Sequence, residues 1–434
     1  MIRRPLASLL AAESVSLAGS HISSVAVPWL VLTTTGSATR VGLVALAQAL
    51  PFVLAGMLGG PLVDRLGARR VAIGADAAGA VVVGLVPLLH AGGLLSFGSL
   101  VAVVAVAGAF GGATNTAKRA LLPQVAGDTP MARATALFDG IGRAAILAGL
   151  PLGGVLVAAL GPIAVLAIDA LSFAICAAVV ATGTRTEAIP AAVIATGTRT
   201  EAIPAAVIAT GTRTEASGTR PEGAAREQGS YLADLGAGFA FLRRDTLFAT
   251  IVGVLFFTNL VDQAYSTVFV PLWIAGTGAG PAALGLLGGV FGLGAVLGSF
   301  LYAAVATRLP RVPTFAVCFL IAGSPRMFAL AATGDLWPVL TVAFGAGLAV
   351  AAVNPILMAV GYERVPASLR GRVLGVATAI GFAGVPLGGL LGGLAADQVG
   401  LRATLILAGA VYLAVTLVPF TMKRQIPDTS LMPG

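Results

Sequence analysis

The feature that most constrains the fold of this chain is a succession of long apolar runs separated by charged or turn-forming residues. A helix rises about 1.5 Å per residue and a bilayer contains about 30 Å of hydrocarbon, so roughly 20 apolar residues suffice to cross it. Twelve runs meet this length: 7–33, 41–62, 71–91, 94–116, 133–158, 161–181, 247–275, 282–306, 312–333, 336–360, 372–395 and 401–421. The sequence therefore predicts an all-α membrane protein with twelve transmembrane helices.

Composition supports membrane insertion and excludes two other classes of protein. Charged residues make up 10% of this chain, whereas they make up about 25% of an ordinary soluble domain. The formal net charge is +8, but the basic residues are dispersed between apolar runs, which argues against binding to nucleic acid. The two lysines are followed by Arg and not by Ser or Thr, so the chain has no P-loop for nucleotide hydrolysis.

The distribution of basic residues predicts which side of the membrane each loop occupies. Lys and Arg accumulate in cytoplasmic loops. Alternate loops of this chain carry Arg65, Arg69, Arg70, Lys118, Arg119, Arg133, Arg243, Arg244, Arg308, Arg311, Arg364, Arg370 and Arg372. Both chain ends are basic as well, and the opposite loops contain only Arg40 and Arg402. We therefore expect both termini in the cytoplasm, and the preference for Arg over Lys suggests a bacterial inner (plasma) membrane.

A polar segment divides the twelve spans into two groups of six. Residues 182–230 are low in complexity, and the sequence ATGTRTEAIPAAVI at 181–194 recurs at 195–208. This composition is typical of a flexible linker, which we place in the cytoplasm. The expected units are an N-terminal six-helix bundle at 1–181 and a C-terminal bundle at 231–434, which begins with an amphipathic helix over 231–244.

The two bundles share a glycine motif, which indicates that they are pseudo-symmetric. GLPLGG from Gly149 in span five is matched by GVPLGG from Gly384 in span eleven. Glycine lets helices approach closely and proline permits a bend, so these positions are expected to serve helix bending and packing. They are Gly149, Pro151, Gly153, Gly154, Gly384, Pro386, Gly388 and Gly389. Two parallel repeats are the arrangement expected of an alternating-access carrier.

The loop after span two closely resembles a conserved loop of the major facilitator superfamily. It reads GPLVDRLGARR and contains Gly60, Asp64, Arg65, Gly67, Arg69 and Arg70. The stretches TTTGSATRVGLVALAQALP, ALLPQV, IDALSF and RVPASLRGRVLGVA resemble the enterobactin-exporter and macrolide-efflux branch of this superfamily. The resemblance implies two six-helix bundles that rock around a central cavity.

The resemblance also implies a role for Asp64 as a cytoplasmic gate. In the family this carboxylate interacts with the cytoplasmic N-terminus of span eleven, here near Gly371 and Arg372. A helix N-terminus and a neighbouring Arg both favour a carboxylate, so the implied contact is physically reasonable. The same spacing recurs after span eleven as Gly393, Asp397, Gly400 and Arg402. Because our topology places that copy outside and it lacks the basic pair, we interpret it as a chance or vestigial match.

Polar residues inside the apolar runs are the candidates for a substrate or proton pathway, because they are costly in lipid. They are Glu13, Ser16, Ser20 and His21 in span one, Asn115 in span four, Asn259, Asp262 and Gln263 in span seven, and Asn354 in span ten. Glu13 or Asp262 is the candidate carrier of a coupling proton, and His21 is a candidate assistant. The alternative is hydrogen bonding between helices without a role in transport.

Other charged residues inside the spans are expected to serve packing or internal ion pairing. Asp76, Asp169 and Arg326 lie in spans that the family places at the periphery of each half. Asp139 and Arg143 are one helical turn apart and are expected to pair with each other. Many proton-coupled drug antiporters of the superfamily carry an Arg in span four, but GAFGGATNTA at 108–117 has none, which argues against proton antiport but not against the fold.

These observations favour a secondary active transporter that exports a drug-like or siderophore-like small molecule by alternating access. The expected partners are this substrate, the lipid bilayer and a proton or other coupling ion, and the protein is expected to be a monomer. No catalytic motif and no metal-spaced cluster of His or Cys is present, so we expect neither an enzyme nor a metal or other cofactor. An importer or lipid flippase of the same fold and a non-transporting membrane sensor remain the alternatives.

Overall fold

The computed structural model of the protein describes residues 3–184, 231–306, 308–366 and 369–421. In this part of the chain, twelve helices are long and apolar enough to cross a membrane, as the sequence predicted. Backbone polar groups have no water partner in hydrocarbon, so a helix, which bonds them internally, is the structure that such apolar runs adopt. Most of the predicted linker lies outside the described residues, as does the chain after residue 421.

The first six spans are continuous helices joined by short turns. They run Arg4–Thr35, Ala38–Leu66, Ala68–Ala91, Phe97–Ala126, Met131–Leu160 and Pro162–Gly183. Spans two and three are joined through Gly67, whose φ of 87° is a backbone conformation that side chains disfavour and glycine tolerates. Span four continues ten residues beyond the predicted end at 116, so its last turns are helical where the sequence analysis expected a loop.

The second six spans include two interrupted helices. Span seven comprises Thr246–Ala264, a π-helical turn at Tyr265–Phe269 and Val270–Thr277, and span nine comprises Arg311–Ala322 and Ser324–Ala332. Spans eight, ten, eleven and twelve run Pro281–Val305, Leu336–Arg364, Arg370–Val399 and Leu401–Thr421. The predicted helix before span seven is present as Tyr231–Arg244, and it packs against span eleven.

Helix packing is the same in the two halves. In the first half, span one packs against spans five and six, span three against spans four and six, and span two against span four. In the second half, span seven packs against spans eleven and twelve, span nine against spans ten and twelve, and span eight against span ten. Adding six to each span number of the first half therefore reproduces the second half, which is the pseudo-symmetry expected from the repeated glycine motif.

Two helix pairs form the main seams between the halves: span two with span eleven, and span five with span eight. These pairs are themselves related by the pseudo-symmetry, because span two corresponds to span eight and span five to span eleven. An even number of spans puts the start of span one, at Arg4, and the end of span twelve, at Thr421, on one side of the helical array, which we call the terminal face. The side that carries the turns at residues 36–37, 161 and 400 is the opposite face.

Candidate functional site

A buried ion cluster lies inside the first half of the protein. Lys118 of span four places its Nζ 3.3 Å from Glu13 Oε2 of span one and 3.4 Å from Asp76 Oδ2 of span three. The thiol of Cys176 in span six donates a hydrogen bond to Asp76 Oδ2 over 2.9 Å. The side chains of Lys118 and Asp76 are 1% and 0% exposed, so four spans of this half meet at one charged group of atoms.

The cluster contains two carboxylates and one ammonium group, which leaves one excess negative charge when all three are ionised. Asp76 Oδ1 is buried and has no hydrogen-bond partner among the described residues. Burying a charge is costly unless an opposite charge or hydrogen bonds compensate it, and here one of the two carboxylates lacks a cation of its own. Addition of one proton would make the whole cluster neutral.

The position of Lys118 corrects a prediction from the sequence. Basic residues at the ends of apolar runs are normally loop anchors, and for that reason Lys118 was assigned to a cytoplasmic loop. The structure instead buries its side chain within span four, so this span does contain a basic residue. The sequence does contain a hint of this ion pair. Glu13 and Asp76 are isolated acids within apolar spans, where a carboxylate needs a cation as a partner.

The second half contains a balanced ion pair. Arg326 Nη2 of span nine donates to Asp262 Oδ1 of span seven over 2.6 Å, and the Tyr412 hydroxyl lies 3.4 Å from Asp262 Oδ2. The guanidinium carbon of Arg326 lies 4.8 Å from the ring centre of Tyr265 and 5.5 Å from that of Phe291. The charges of Arg326 and Asp262 compensate each other, and the two aromatic rings further stabilise the cation. Internal ion pairing is one of the two roles expected for Arg326, the other being packing.

Both helix interruptions of the second half lie next to this pair. The π-helical turn of span seven begins at Tyr265, three residues after Asp262. The break in span nine is at Gly323, three residues before Arg326, and the Tyr412 ring occupies the space that a side chain at Gly323 would need. Irregular helical turns of this kind are frequent at functional sites and mark points where a helix bends.

The other polar residues predicted for a substrate or proton pathway differ in burial and in the partners that they contact. Ser16 is buried within the first half, Ser20 and Gln263 are half-buried, and Asn354 is exposed. His21 packs against Gly149. Asn115 accepts a hydrogen bond from Arg119 Nε over 3.1 Å, and Asn259 donates to the Gly381 carbonyl oxygen over 2.9 Å. The Asn259 contact joins span seven to span eleven, which is an interhelical hydrogen bond.

Two further acidic side chains have partners within the first half. Asp139 Oδ1 of span five lies 3.5 Å from Arg119 Nη1 of span four, so the predicted pair of Asp139 with Arg143 is wrong. Span four packs alongside span five, so Arg119 of span four lies closer to Asp139 than Arg143 does, one turn further along span five. Asp169 Oδ2 accepts a hydrogen bond from Ser23 Oγ over 2.6 Å, which joins span six to span one.

The loop predicted to act as a gate lies at the terminal face. Asp64 is exposed, as are Arg65 and Arg70. Arg69 Nη2 donates to the Ala181 carbonyl oxygen over 2.5 Å and Arg69 Nε donates to Thr184 Oγ1 over 3.2 Å, so this side chain binds the C-terminus of span six. A cation is favoured at a helix C-terminus, where carbonyl groups lack helical partners.

The seams between the halves are tight at the opposite face, where glycines allow backbone contact. A Cβ atom on Gly42 of span two would overlap the carbonyl oxygen of Gly389 in span eleven. In the other seam, a Cβ atom on Gly154 would lie 2.7 Å from the Pro281 carbonyl oxygen and 2.8 Å from the Gly285 backbone. Toward the terminal face, span two carries exposed apolar side chains: Leu58 is 72% and Leu62 45% exposed.

In both repeated glycine motifs, the first two glycines contact a helix of their own half and the last glycine contacts a helix of the other half. Gly149 and Gly153 pack against span one of their own half, whereas Gly154 packs against span eight of the other half. The matching residues Gly384 and Gly388 pack against span seven, and Gly389 packs against span two. Pro151 and Pro386 lie within continuous helices, and Pro151 fills the space that a side chain at Gly289 would need.

The second gate-like spacing, interpreted from the sequence as a chance or vestigial match, makes specific contacts in the structure. Asp397, at the end of span eleven, bonds to the first residues of span two. Ser37 Oγ donates to Asp397 Oδ2 over 2.8 Å, the Thr39 backbone N–H donates to Oδ2 over 2.8 Å, and the Ala38 N–H donates to Oδ1 over 3.0 Å. The carboxylate therefore joins the two halves at the opposite face.

Comparison with known proteins gives a consistent result. Residues 9–261 and 251–430 match the family model described as Major Facilitator Superfamily. The multidrug efflux pump Tap of Mycobacterium tuberculosis (strain ATCC 25618 / H37Rv) is 28% identical over 409 residues, which are 93% of this chain and 90% of that protein. Tap of Mycolicibacterium fortuitum is 28% identical over 436 residues, 97% of this chain and 96% of that protein.

Two solved structures share the fold. The nucleoside transporter NupG superimposes with a TM-score of 0.70 at 12% identity, over 96% of this chain and 99% of that chain. A bacterial homolog of the human lysosomal transporter Spinster, solved in an inward-facing and unoccupied conformation, superimposes with a TM-score of 0.66 at 14% identity. That match covers 97% of this chain and 96% of that chain.

Proposed function

The chain belongs to the Major Facilitator Superfamily, and from this premise we propose that it is an efflux permease for drug-like small molecules. Two relatives described as multidrug efflux pumps, the Tap proteins of the two mycobacterial species, match nearly the whole chain, including both halves. A transporter of this superfamily is a multi-pass membrane protein that moves small molecules across a lipid bilayer and is not an enzyme. Export, the choice of drug-like substrates and a monomeric state are parts of the proposal.

The observation that carries the proposed mechanism is the pair of symmetry-related seams closed at the opposite face. If the terminal face is the cytoplasmic face of the inner membrane, as the basic loops indicate, this conformation is the one that receives substrate from the cytoplasm. Rocking of the two halves would then separate spans two and eleven, and spans five and eight, at the opposite face. The units that rock are residues 1–181 and 231–434, joined by the 182–230 linker.

The gate loop at residues 60–70 supports the step of this cycle in which the terminal face closes. Asp64 and the other loop residues lie at the terminal face, and the N-terminus of span eleven begins at the same face. We assign Asp64 the role of holding this face closed when the opposite face is open. Arg69, which binds the end of span six, would keep the loop positioned on its own half throughout the cycle.

The accumulation of a fluorescent cationic dye in bacterial cells tests the proposal. Cells that produce the protein are expected to retain several-fold less dye than cells that carry the empty vector, and a protonophore should abolish the difference. The matched control is Gly42→Leu, because a side chain there would overlap the Gly389 backbone and prevent closure of the opposite face. Higher accumulation than in control cells would indicate import, and an unchanged level across a panel of dyes and antibiotics would contradict efflux.

For coupling, we propose that the proton is carried by the cluster of Glu13, Asp76 and Lys118 in preference to Asp262. The charges of the cluster are unbalanced by one carboxylate, so one proton can bind without creating a buried net charge. The charges of Asp262 are already balanced by Arg326, and its second oxygen has the Tyr412 hydroxyl as a partner. Protonation of Asp262 would leave the Arg326 cation without a counter-ion.

The pH dependence of transport distinguishes the two carboxylates. Glu13→Gln removes one ionisable carboxylate of the cluster and leaves Lys118 balanced by Asp76, so it is expected to abolish the pH dependence of dye export. Asp262→Asn should lower the amount of folded protein but leave the shape of the pH profile unchanged in the protein that remains. A flat profile in Asp262→Asn with a normal profile in Glu13→Gln would reverse the assignment.

A further inference from the structure

We infer that Asp397 is the latch of the opposite gate: its carboxylate caps span two of the other half and holds that face closed. This inference rests on the proposed function in one respect, because a latch has a role only if the halves separate at that face. The family resemblance assigned a gate to the loop after span two, and it assigned nothing to the end of span eleven.

The hydrogen bonds of Asp397 are those of a helix cap supplied by another part of the chain. The first backbone N–H groups of a helix have no helical partner and carry the positive end of the helix dipole. Ser37, the residue before span two, accepts a bond from the Arg40 N–H over 3.3 Å and so satisfies one of these donors. Asp397 accepts from the Ala38 and Thr39 N–H groups and from the Ser37 hydroxyl. Span two is therefore capped jointly by its own half and by the other half.

Two glycines place the carboxylate where it can make these bonds. Gly393 lies one helical turn before Asp397, and a Cβ atom there would overlap the Ala38 carbonyl oxygen, so glycine lets the two helices approach. Gly400, three residues after Asp397, has a φ of 83° and ends span eleven at the membrane face. The spacing of Gly393, Asp397 and Gly400 thus has a physical reason at this site.

The arrangement makes Asp64 and Asp397 counterparts on the two membrane faces. Gly60, Asp64 and Gly67 have the same spacing at the end of span two as Gly393, Asp397 and Gly400 have at the end of span eleven. At the opposite face the carboxylate of span eleven caps span two. At the terminal face, the carboxylate of span two lies at the same membrane face from which span eleven starts. Each latch would therefore stabilise one of the two conformations.

The expected consequence of removing the Asp397 carboxylate is a shift toward the conformation that is open at the opposite face. Asp397→Ala loses three hydrogen bonds, and the ratio of open to closed molecules is expected to rise roughly tenfold. Asp397→Asn keeps one acceptor oxygen and should give a smaller rise. Asp335→Ala is the matched control, because Asp335 is another exposed acid at this face and its side chain makes no capping bond to the helix that it precedes.

The experiment measures distances between spin labels on Thr34 and Ala403, two exposed residues at the opposite face that belong to different halves. Cys318 is replaced by Ala to prevent labelling, and the fully buried Cys176 is retained. In purified protein, Asp397→Ala is expected to increase the population with long distances, while Asp335→Ala gives the distribution of the parent protein. Gly393→Ala, which pushes the helices apart without removing the charge, should produce the same increase.

Identical distance distributions for the parent and both Asp397 variants would overturn the inference, as would an equal shift in the Asp335 control. Failure of the proposed function would give a different result. If the protein moves no drug-like substrate, dye accumulation is unaffected in every variant, but the distance distributions of the Asp397 variants still shift. Thermal unfolding of each purified variant shows that the measured populations come from folded protein.

Discussion

Lys118→Met is expected to leave little folded protein in the membrane. The substitution keeps the approximate length of the side chain but removes the cation between Glu13 and Asp76. Removing one partner of a buried ion pair costs about 3–5 kcal/mol, a large part of the roughly 5–15 kcal/mol that stabilises a folded domain. The measurements are the amount of protein inserted in membranes and the thermal unfolding midpoint of the purified variant in detergent.

Arg119→Met is the matched control for this prediction, because Arg119 is the next residue of the same helix. Its ion pair with Asp139 joins side chains that are 30% and 19% exposed, and partly solvated pairs contribute about 1 kcal/mol or less. The triple variant Lys118→Met, Glu13→Gln and Asp76→Asn removes all three charges and should restore much of the lost protein. A Lys118→Met variant as abundant and stable as Arg119→Met would show that the cluster contributes little to folding.

Asp64→Asn is expected to abolish dye export while leaving the amount of protein unchanged. Asp64 is exposed in the present conformation, so its carboxylate stabilises little that the substitution would remove. We expect the loss to occur when the terminal face closes, because a carboxylate at a helix N-terminus contributes up to about 2 kcal/mol and the amide lacks the charge. Export is measured as dye accumulation, and closure as the distance between spin labels at the terminal face.

The control for Asp64→Asn is Asp128→Asn, at a second exposed acid of the terminal face, which pairs with Arg3 of the same half. This substitution should leave export unchanged. Combining Asp64→Asn with Asp397→Ala weakens both latches and is expected to return the spin-label populations toward those of the parent protein. Normal export by Asp64→Asn would remove the terminal gate from the mechanism.

The number of spans, their approximate bounds and the repeat of the two halves could be predicted from the amino-acid sequence. These properties depend on local physics: a run of about 20 apolar residues must be helical in hydrocarbon, wherever its neighbours lie. The matched glycine motifs at Gly149 and Gly384 also predicted close helix packing, because glycine permits backbone contact whatever helix it meets. The sequence did not indicate that Gly154 and Gly389 would contact the other half.

The partners of the charged residues were beyond a reading of the sequence, because each partner is brought in by helix packing over a long separation along the chain. Lys118 was predicted to be a loop anchor from its position after an apolar run, and four packed spans instead bury it between Glu13 and Asp76. Asp397 was interpreted as a chance or vestigial match because its copy of the spacing lies outside and lacks the basic pair. Its partners could not be found in the sequence, because the helix that it caps lies about 360 residues away along the chain. The hydropathy of a segment determines whether that segment spans the membrane, so the spans can be predicted from the sequence alone. Ion pairs and helix caps depend on distances between side chains that are set only when the helices pack together.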